Sequence, residues 1–149
     1  MILAYSNLDS PGFVALLSKE TKEVLLETTF PQTPRGQNDV LRGITEILAK
    51  AQKTPADISG IALHIGPGKF TPARTACIIA NTFAEELNIP LFPLLADEET
   101  TPQSFLDILI SNPPPTTYFV EPIFLGTPNI GKKAKDPFSF SSDSTKIET

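Results

Sequence analysis

The sequence predicts an α/β fold in which helices pack on a mixed β-sheet. Three short apolar segments joined by polar turns open the chain, and two later stretches carry apolar residues at a spacing of three and four. Each of those stretches is followed by another short apolar segment. Strands joined by short turns form an antiparallel meander, and strands connected through helices extend it into a sheet of mixed direction. We therefore expect a mixed five-stranded sheet with helices on it.

The first three strands are predicted at residues 2–5, 13–18 and 23–30. Residues 6–12 between the first two are rich in Asn, Asp, Ser, Pro and Gly, which is typical of a turn. The second and third strands are separated by the polar residues 19–22, which predict the tip of a hairpin.

The two helices are predicted at residues 37–53 and 72–88. In the first, the apolar residues at helical spacing are Val40, Leu41, Ile44, Ile47, Leu48 and Ala51. The second is expected to begin with Thr71 as N-cap and Pro72 as its first residue, and to end at Asn88.

Strands are predicted after each of these helices, at residues 58–65 and 89–95. The first of the two consists of small and apolar residues, so we expect it to be central and buried on both faces. Further along, Thr101 and Pro102 indicate the start of a short helix that reaches about residue 111. Residues 118–125 favour one more strand, although Pro122 interrupts it.

The composition is that of one globular domain, and it excludes several kinds of site. The chain has 149 residues, of which 40% are hydrophobic and 19% charged, and its formal net charge is -5. A domain of this size needs no metal or disulfide to hold its core, and an acidic chain by itself binds nucleic acid poorly. Cys77 is the only cysteine and His64 the only histidine, which excludes an internal disulfide, a four-cysteine zinc site and a two-histidine metal site.

The sequence shows no sign of a membrane segment or an export signal. No apolar run approaches the roughly 18 residues that a spanning helix needs. The first residues lack a basic stretch followed by a long apolar one. We expect a cytoplasmic protein without a membrane contact.

The most informative local feature is the glycine turn at residues 66–68, which lies between a predicted buried strand and a helix. Glycines allow close approach of the backbone, and the start of a helix presents free N–H groups, so this arrangement can bind a phosphate. A tight connection between a strand and a helix explains the same residues and is commoner.

The residues around this turn resemble the TsaB (YeaZ) family. Residues 66–71 read Gly-Pro-Gly-Lys-Phe-Thr and precede Arg74, similar to the family pattern Gly-Pro-Gly-Ser-Phe-Thr-Gly-x-Arg. The opening Ile-Leu-Ala at residues 2–4 and the Ile-Pro-Leu at residues 89–91 are similar to further family segments. Residues 121–125 resemble the Pro-x-Tyr-Leu-Arg that closes many members. The resemblance covers about residues 1–95 and this last segment.

The resemblance implies a fold and a function. TsaB has a ribonuclease H-like fold of the actin-like ATPase superfamily, and it is the non-catalytic partner of the catalytic subunit TsaD in bacterial threonylcarbamoyladenosine synthesis on tRNA. The implied organisation is a first lobe at residues 1–96 and a reduced remnant of the second lobe at residues 97–131. Residues 132–149, mostly Lys, Asp, Ser and Thr, are expected to form a disordered tail.

The sequence departs from the family in its length and at three positions. Ser6 stands where the superfamily has an Asp that serves metal and phosphate chemistry, so one of the few catalytic groups is lost. Lys69 replaces a Ser, and Pro72 replaces a Gly. The remainder after residue 96 is too short and too rich in proline for a second lobe, so the chain resembles a shortened TsaB.

The family pairs with TsaD through the two helices of its first lobe, which places the implied interface on residues 37–53 and 72–88. The residues expected at this interface are Val40, Ile44, Ile47, Arg74, Cys77, Ile78 and Asn81. The small residues Ala73, Ala76, Ala80 and Ala84 would let a partner helix approach closely. Each of these apolar residues, Cys77 among them, is also what a helix needs for its own core.

Three hypotheses of function follow. The first is a scaffold that holds and activates TsaD, with no catalytic residues and no cofactor of its own. A TsaE-like ATPase is a possible third partner, tRNA is contacted only through the complex, and a homodimer is possible when the chain is alone. The second is a residual nucleotide-binding lobe, in which Gly66, Gly68, Lys69 and Thr71 hold ATP or ADP at a subunit junction. The third is a peptidase, against which the absence of a plausible nucleophile–base pair argues.

Overall fold

The computed structural model describes residues 1–8, 12–30, 39–95 and 101–124, and it contains the predicted mixed sheet. Five strands form one sheet in the order β3-β2-β1-β4-β5. Their bounds are Ile2–Ser6 for β1, Gly12–Ser18 for β2, Glu23–Phe30 for β3, Gly60–Gly66 for β4 and Leu91–Leu95 for β5. The last two strands begin two residues later than the sequence predicts.

The sheet is antiparallel on one side and parallel on the other. β2 pairs antiparallel with both β1 and β3, as the short turns of the meander require. β4 pairs parallel with β1 and with β5. β4 therefore lies inside the sheet, and all of its residues except Ile65 are buried, which agrees with its apolar sequence.

Three helices cover the two faces of this sheet: α1 at Asp39–Ala51, α2 at Phe70–Leu87 and α3 at Pro102–Ser111. α1 and α2 share one apolar cluster with inward-facing residues of β1, β2 and β4. α3 places Phe105, Leu106 and Leu109 in a second cluster on the opposite face. Because side chains alternate along a strand, each central strand contributes to both clusters.

The observed helix ends correct two details of the prediction. α2 begins at Phe70 with Lys69 as its N-cap, so Thr71 and Pro72 lie inside the first turn. A proline is tolerated there because the N–H groups of the first turn have no partner within the helix. Asn88 ends α2 as predicted, in the left-handed conformation with φ 56°. α1 is described from Asp39, so residues 37 and 38 of the predicted helix lie outside the described residues, and it ends at Ala51 instead of residue 53.

The predicted strand at residues 118–125 is not a strand. Residues 117–124, called the strap below, make only two isolated bridges, between Leu91 and Thr117 and between Gly68 and Phe124. The strap runs from the free edge of β5 to the turn that follows β4, so it does not stay beside one strand. Pro122 also has no N–H to donate to a ladder. Leu125 lies outside the described residues.

The division of the chain into two lobes after residue 96 stays a prediction. α3 lies in the part that was predicted as a remnant of the second lobe. This helix does not form a core of its own but packs on the sheet of residues 1–95. The predicted tail at residues 132–149 lies outside the described residues.

A buried hydroxyl links the sheet to α2. The Tyr5 hydroxyl donates a hydrogen bond of 2.6 Å to the carbonyl of Ala76, and Tyr5 is fully buried. We expect Tyr5→Phe to lower the free energy of unfolding by about 1 kcal/mol, because a buried neutral hydrogen bond contributes about that much. Urea denaturation measures this, and an unchanged midpoint would contradict it.

Candidate functional site

The glycine turn is occupied by the chain itself. The Ile123 N–H donates to the Ile65 carbonyl at 2.8 Å, and the Gly68 N–H donates to the Ile123 carbonyl at 3.0 Å. A Cβ on Gly66 would overlap that same carbonyl, and the φ of Gly66 is +130°, which side chains rarely adopt. A Cβ on Gly68 would lie 2.9 Å from Leu8 Cδ2. Both glycines are thus explained by close packing of the strap and of Leu8.

The other two residues predicted to bind a nucleotide remain at the surface. Lys69 and Thr71 are exposed at the start of α2. The Gly68 N–H, by contrast, already has the Ile123 carbonyl as acceptor. The strap therefore takes one of the backbone amides of the turn, while the exposed Lys69 and Thr71 side chains lie at the positive end of the helix.

Four residues predicted at the partner interface are buried in the core of the single chain, and their role in an interface stays a prediction. Val40, Ile44 and Ile47 of α1 and Cys77 of α2 are buried in the cluster between these helices and the sheet. A helix that covers a sheet uses its most regular apolar stripe for its own core, and these residues form that stripe. The small residues Ala73, Ala76, Ala80 and Ala84 are also buried, so they do not receive an outside helix.

The outer side of α2 carries the remaining predicted residues. Ile78 is 52% exposed, which is high for a large apolar side chain on a helix. Five exposed residues recur along one side of the helix at a spacing of three and four, and they are Thr71, Arg74, Ile78, Thr82 and Glu85; Glu86 is exposed beside them. We call these five residues the outer stripe of α2.

Asn81, which the sequence placed at the partner interface, instead binds the strap. Its side-chain amide donates to the Val120 carbonyl at 3.0 Å, and its side-chain carbonyl accepts from the Val120 N–H at 2.8 Å. The amide thus acts as the backbone of a neighbouring strand would. Nothing in the local sequence predicted this pairing, because the two residues are 39 positions apart.

A groove runs between the outer stripe and the strap. Ile78, Thr82 and Glu85 line it from α2, and Tyr118 and Phe119 line it from the strap, around a volume of about 680 Å³. Tyr118 is 60% exposed and Phe119 63%. Neither aromatic residue was predicted from the sequence to line a site.

Cys77 and Tyr5 are buried ionisable groups beneath the same part of α2. Burial raises the pKa of the Cys77 thiol to about 12, and the nearby Glu121 carboxylate adds to this rise. Burial also raises the pKa of Tyr5 well above its usual range, and Cys77 contributes to it. The thiol is therefore protonated at neutral pH and is a poor nucleophile.

Ser6 and His64 form a pair that the sequence analysis did not foresee. Ser6 Oγ lies 3.0 Å from His64 Nδ1, and the two residues are only 1% and 3% exposed. Parallel pairing of β1 with β4 aligns Tyr5 with Leu63 and so places the next residue of each strand side by side. The His64 ring also meets the edge of the Phe105 ring, at 4.6 Å between centroids.

This pair was not expected from the sequence, and in the part of the chain that the structure describes both of its side chains are buried. Both side chains are enclosed by the sheet and α3, so they act as packed core residues. Among the described residues no group of three His, Cys, Asp or Glu side chains has the arrangement of a metal site. In that same part of the chain, none of the helices is both long and apolar enough to span a membrane.

The class of protein that this fold defines is an α/β protein with a ribonuclease H-like lobe, and comparisons with known proteins agree. Residues 36–97 match the family model described as TsaD, tRNA N6-adenosine threonylcarbamoyltransferase. This segment holds α1, β4, α2 and β5 and is less than half of the chain. No curated protein matches the chain.

Solved structures of YeaZ proteins share the fold. "YeaZ from Pseudomonas aeruginosa" matches at 23% identity with a TM-score of 0.57, over 63% of this chain and 43% of that one. A second structure, described as an uncharacterized protein with similarity to peptidase YEAZ from Pseudomonas aeruginosa, matches at 24% identity with a TM-score of 0.53, over 63% of this chain and 42% of that one. The chain thus spans less than half the length of these structures. It is similar to YeaZ proteins and shares the fold of the matched part of these structures.

The buried thiol predicts a loss of stability at alkaline pH. Cys77 has a pKa of about 12 in the folded chain against 9.0 for the unperturbed group. The unfolded chain therefore loses this proton first, and the free energy of unfolding falls as the pH rises from 9 towards 12. One thiol accounts for about 1 kcal/mol between pH 7 and pH 10.

Urea denaturation of the wild type and of Cys77→Ala at pH 7 and pH 10 measures this effect. The variant should lose less stability between the two pH values than the wild type by about that amount. Equal losses would show that Cys77 does not contribute. Tyr5→Phe is the control for the buried Tyr5 hydroxyl. Its effect on the free energy of unfolding begins at a higher pH than that of Cys77, because the ordinary pKa of a tyrosine is higher.

Proposed function

We propose that the chain is a non-catalytic subunit that binds and activates a TsaD-like catalytic subunit for threonylcarbamoyl transfer to an adenosine of tRNA. The observation that carries this proposal is the exposed Ile78 on the outer stripe of α2. This stripe lies within residues 36–97, the segment that matches the TsaD family model. The core side of α2 already contains four buried alanines and the buried Ile79, so the exposed Ile78 is not needed for the core of the chain.

The charges of α2 also favour an outside partner. Glu85 and Glu86 lie in its last turn, where the helix dipole is negative, and that turn contains no basic residue. Acidic side chains at this end reduce the stability of the helix by itself. A basic partner surface beside the groove would reverse this effect and would add an attraction that steers association.

A non-catalytic role agrees with the other groups of the chain. The Ser6–His64 pair is enclosed, and the Cys77 thiol is held protonated by burial. The net charge of -5 disfavours direct binding of tRNA by this chain, so other subunits of the complex would bind the tRNA. We extend the proposal to a TsaE-like ATPase as a third partner, and to a homodimer through the outer stripe when no TsaD-like subunit is present.

The position of Ile78 predicts that a charged residue at the centre of the outer stripe weakens the complex. We expect the chain to co-elute in size exclusion with the TsaD-like subunit of its own organism at micromolar concentration. Ile78→Asp should weaken this complex at least about tenfold, because it places a charge in the apolar centre of the interface. Isothermal titration gives the dissociation constants.

Leu25→Asp is the matched control, because Leu25 on β3 is 45% exposed and lies away from α2. It should leave the affinity unchanged. Absence of a complex with the wild-type chain would refute the proposed function, and equal weakening by both variants would refute the assignment of the stripe.

A residual nucleotide-binding lobe is the second candidate, favoured by the exposure of Lys69 and Thr71 at the start of α2. The occupied Gly68 N–H argues against it, so we expect no rise in melting temperature of the isolated chain with millimolar ATP or ADP. A ligand present at a hundred times its dissociation constant would stabilise the fold by about 2.7 kcal/mol. A concentration-dependent rise that disappears in Lys69→Ala would instead favour this candidate.

A further inference from the structure

At three points the backbone of the strap makes a pair of hydrogen bonds with the rest of the protein. Thr117 exchanges two backbone hydrogen bonds with Leu91, at 2.7 and 3.1 Å. Val120 exchanges two with the Asn81 side chain, and Ile123 makes one with Ile65 and one with Gly68. The attached residues recur every three positions, the spacing at which an extended polyproline-type segment returns to the same side.

The side chains of the strap contribute little to this attachment. Val120 is the only buried residue between positions 111 and 124, while Tyr118, Phe119 and Ile123 are exposed. Three prolines at positions 113–115 separate the strap from α3. A segment that is held by hydrogen bonds and a single buried side chain belongs to the low-stability end of a fold, where local opening precedes global unfolding.

The strap lies over the side of α2 that contains Cys77. Cys77 precedes Asn81 by four residues, so both lie on one side of the helix, one turn apart. Cys77 and Val120 belong to the same apolar cluster, and Glu121 is near enough to act on the thiol. The accessibility of Cys77, the only cysteine of the chain, therefore reports whether the strap covers this side of α2.

We propose that the strap is a cover on α2 that opens as a unit while the sheet and the three helices stay folded, and that opening exposes Asn81 and Cys77. In the closed state the outside of α2 is limited to the outer stripe and its groove. In the open state α2 also presents the side beneath Val120. The consequence for a partner rests on the proposed function, because the strap then sets how much of α2 that partner meets.

Thiol labelling of the full chain with DTNB at pH 8 tests the opening. Opening of the strap exposes few residues, so the labelling rate of Cys77 should stay nearly constant at low urea concentrations. Global unfolding has a steep urea dependence, about 1–3 kcal/mol per molar for a domain of this size. Labelling that follows the circular dichroism unfolding curve at every urea concentration would overturn the proposal.

Two variants separate the strap from the rest of the fold. Asn81→Ala removes both hydrogen bonds to Val120, and we expect labelling to accelerate roughly tenfold or more. Val120→Ala trims the one buried side chain of the strap and should accelerate labelling without touching α2. Thr82→Ala is the matched control, because the Thr82 hydroxyl bonds only the Ile78 carbonyl of its own helix. Labelling of the variants that shows the steep urea dependence of global unfolding at every urea concentration would refute the cover.

Hydrogen exchange gives a second measurement on the same opening. The Val120 and Ile123 amides should exchange faster than those of β1 and β4 in the wild type, and faster still in Asn81→Ala. Exchange at the rate of the core strands would count against the proposal. These experiments use the chain alone, so their result is independent of whether a TsaD-like subunit binds.

Discussion

The contact between the Ile123 backbone and the glycine turn is the constraint on which the described site depends. The Ile123 carbonyl accepts from the Gly68 N–H and occupies the space where Gly66 would carry a Cβ. Any larger residue at Gly66 would displace this carbonyl. Because the contact fixes one end of the strap, it also determines where Val120 meets Asn81 and which side of α2 stays open. The glycine turn, for which the sequence left both a tight connection and a phosphate site open, thus also positions the strap on α2.

The contact of Ile123 with the glycine turn also places the strap along one side of α2, so the helix has three sides in different surroundings. One side, rich in alanine, faces the sheet, a second lies beneath the strap, and a third is the outer stripe. Only the third is open to a partner in the closed state. The proposed scaffold therefore has a narrower surface than the full pair of helices that the resemblance implied, since α1 uses Val40, Ile44 and Ile47 for its core.

The sequence predicted the positions of the strands and helices well, but it did not predict which side of each helix faces the sheet. Short apolar segments and helical spacing are local properties, so all five strands and the three helices were predicted with end errors of about two residues. Whether Ile44 or Ile78 faces the sheet depends on how two helices share one face, which spacing alone does not determine. The pairs Ser6–His64 and Asn81–Val120 join residues 58 and 39 positions apart, and only the sheet order and the path of the strap bring them together.

α3 completes the core on the second face of the sheet. A five-stranded sheet with helices on one face only would leave Phe13, Leu17 and Phe92 in water. α3 covers them with Phe105, Leu106 and Leu109, and its Thr101 N-cap and Ser104 hold its first turn by reciprocal hydrogen bonds. Phe105 also packs against the His64 ring, so α3 encloses the Ser6–His64 pair from this face of the sheet. α3 therefore completes the second core of the sheet, and it joins the sheet of residues 1–95 instead of forming a separate unit within the described residues.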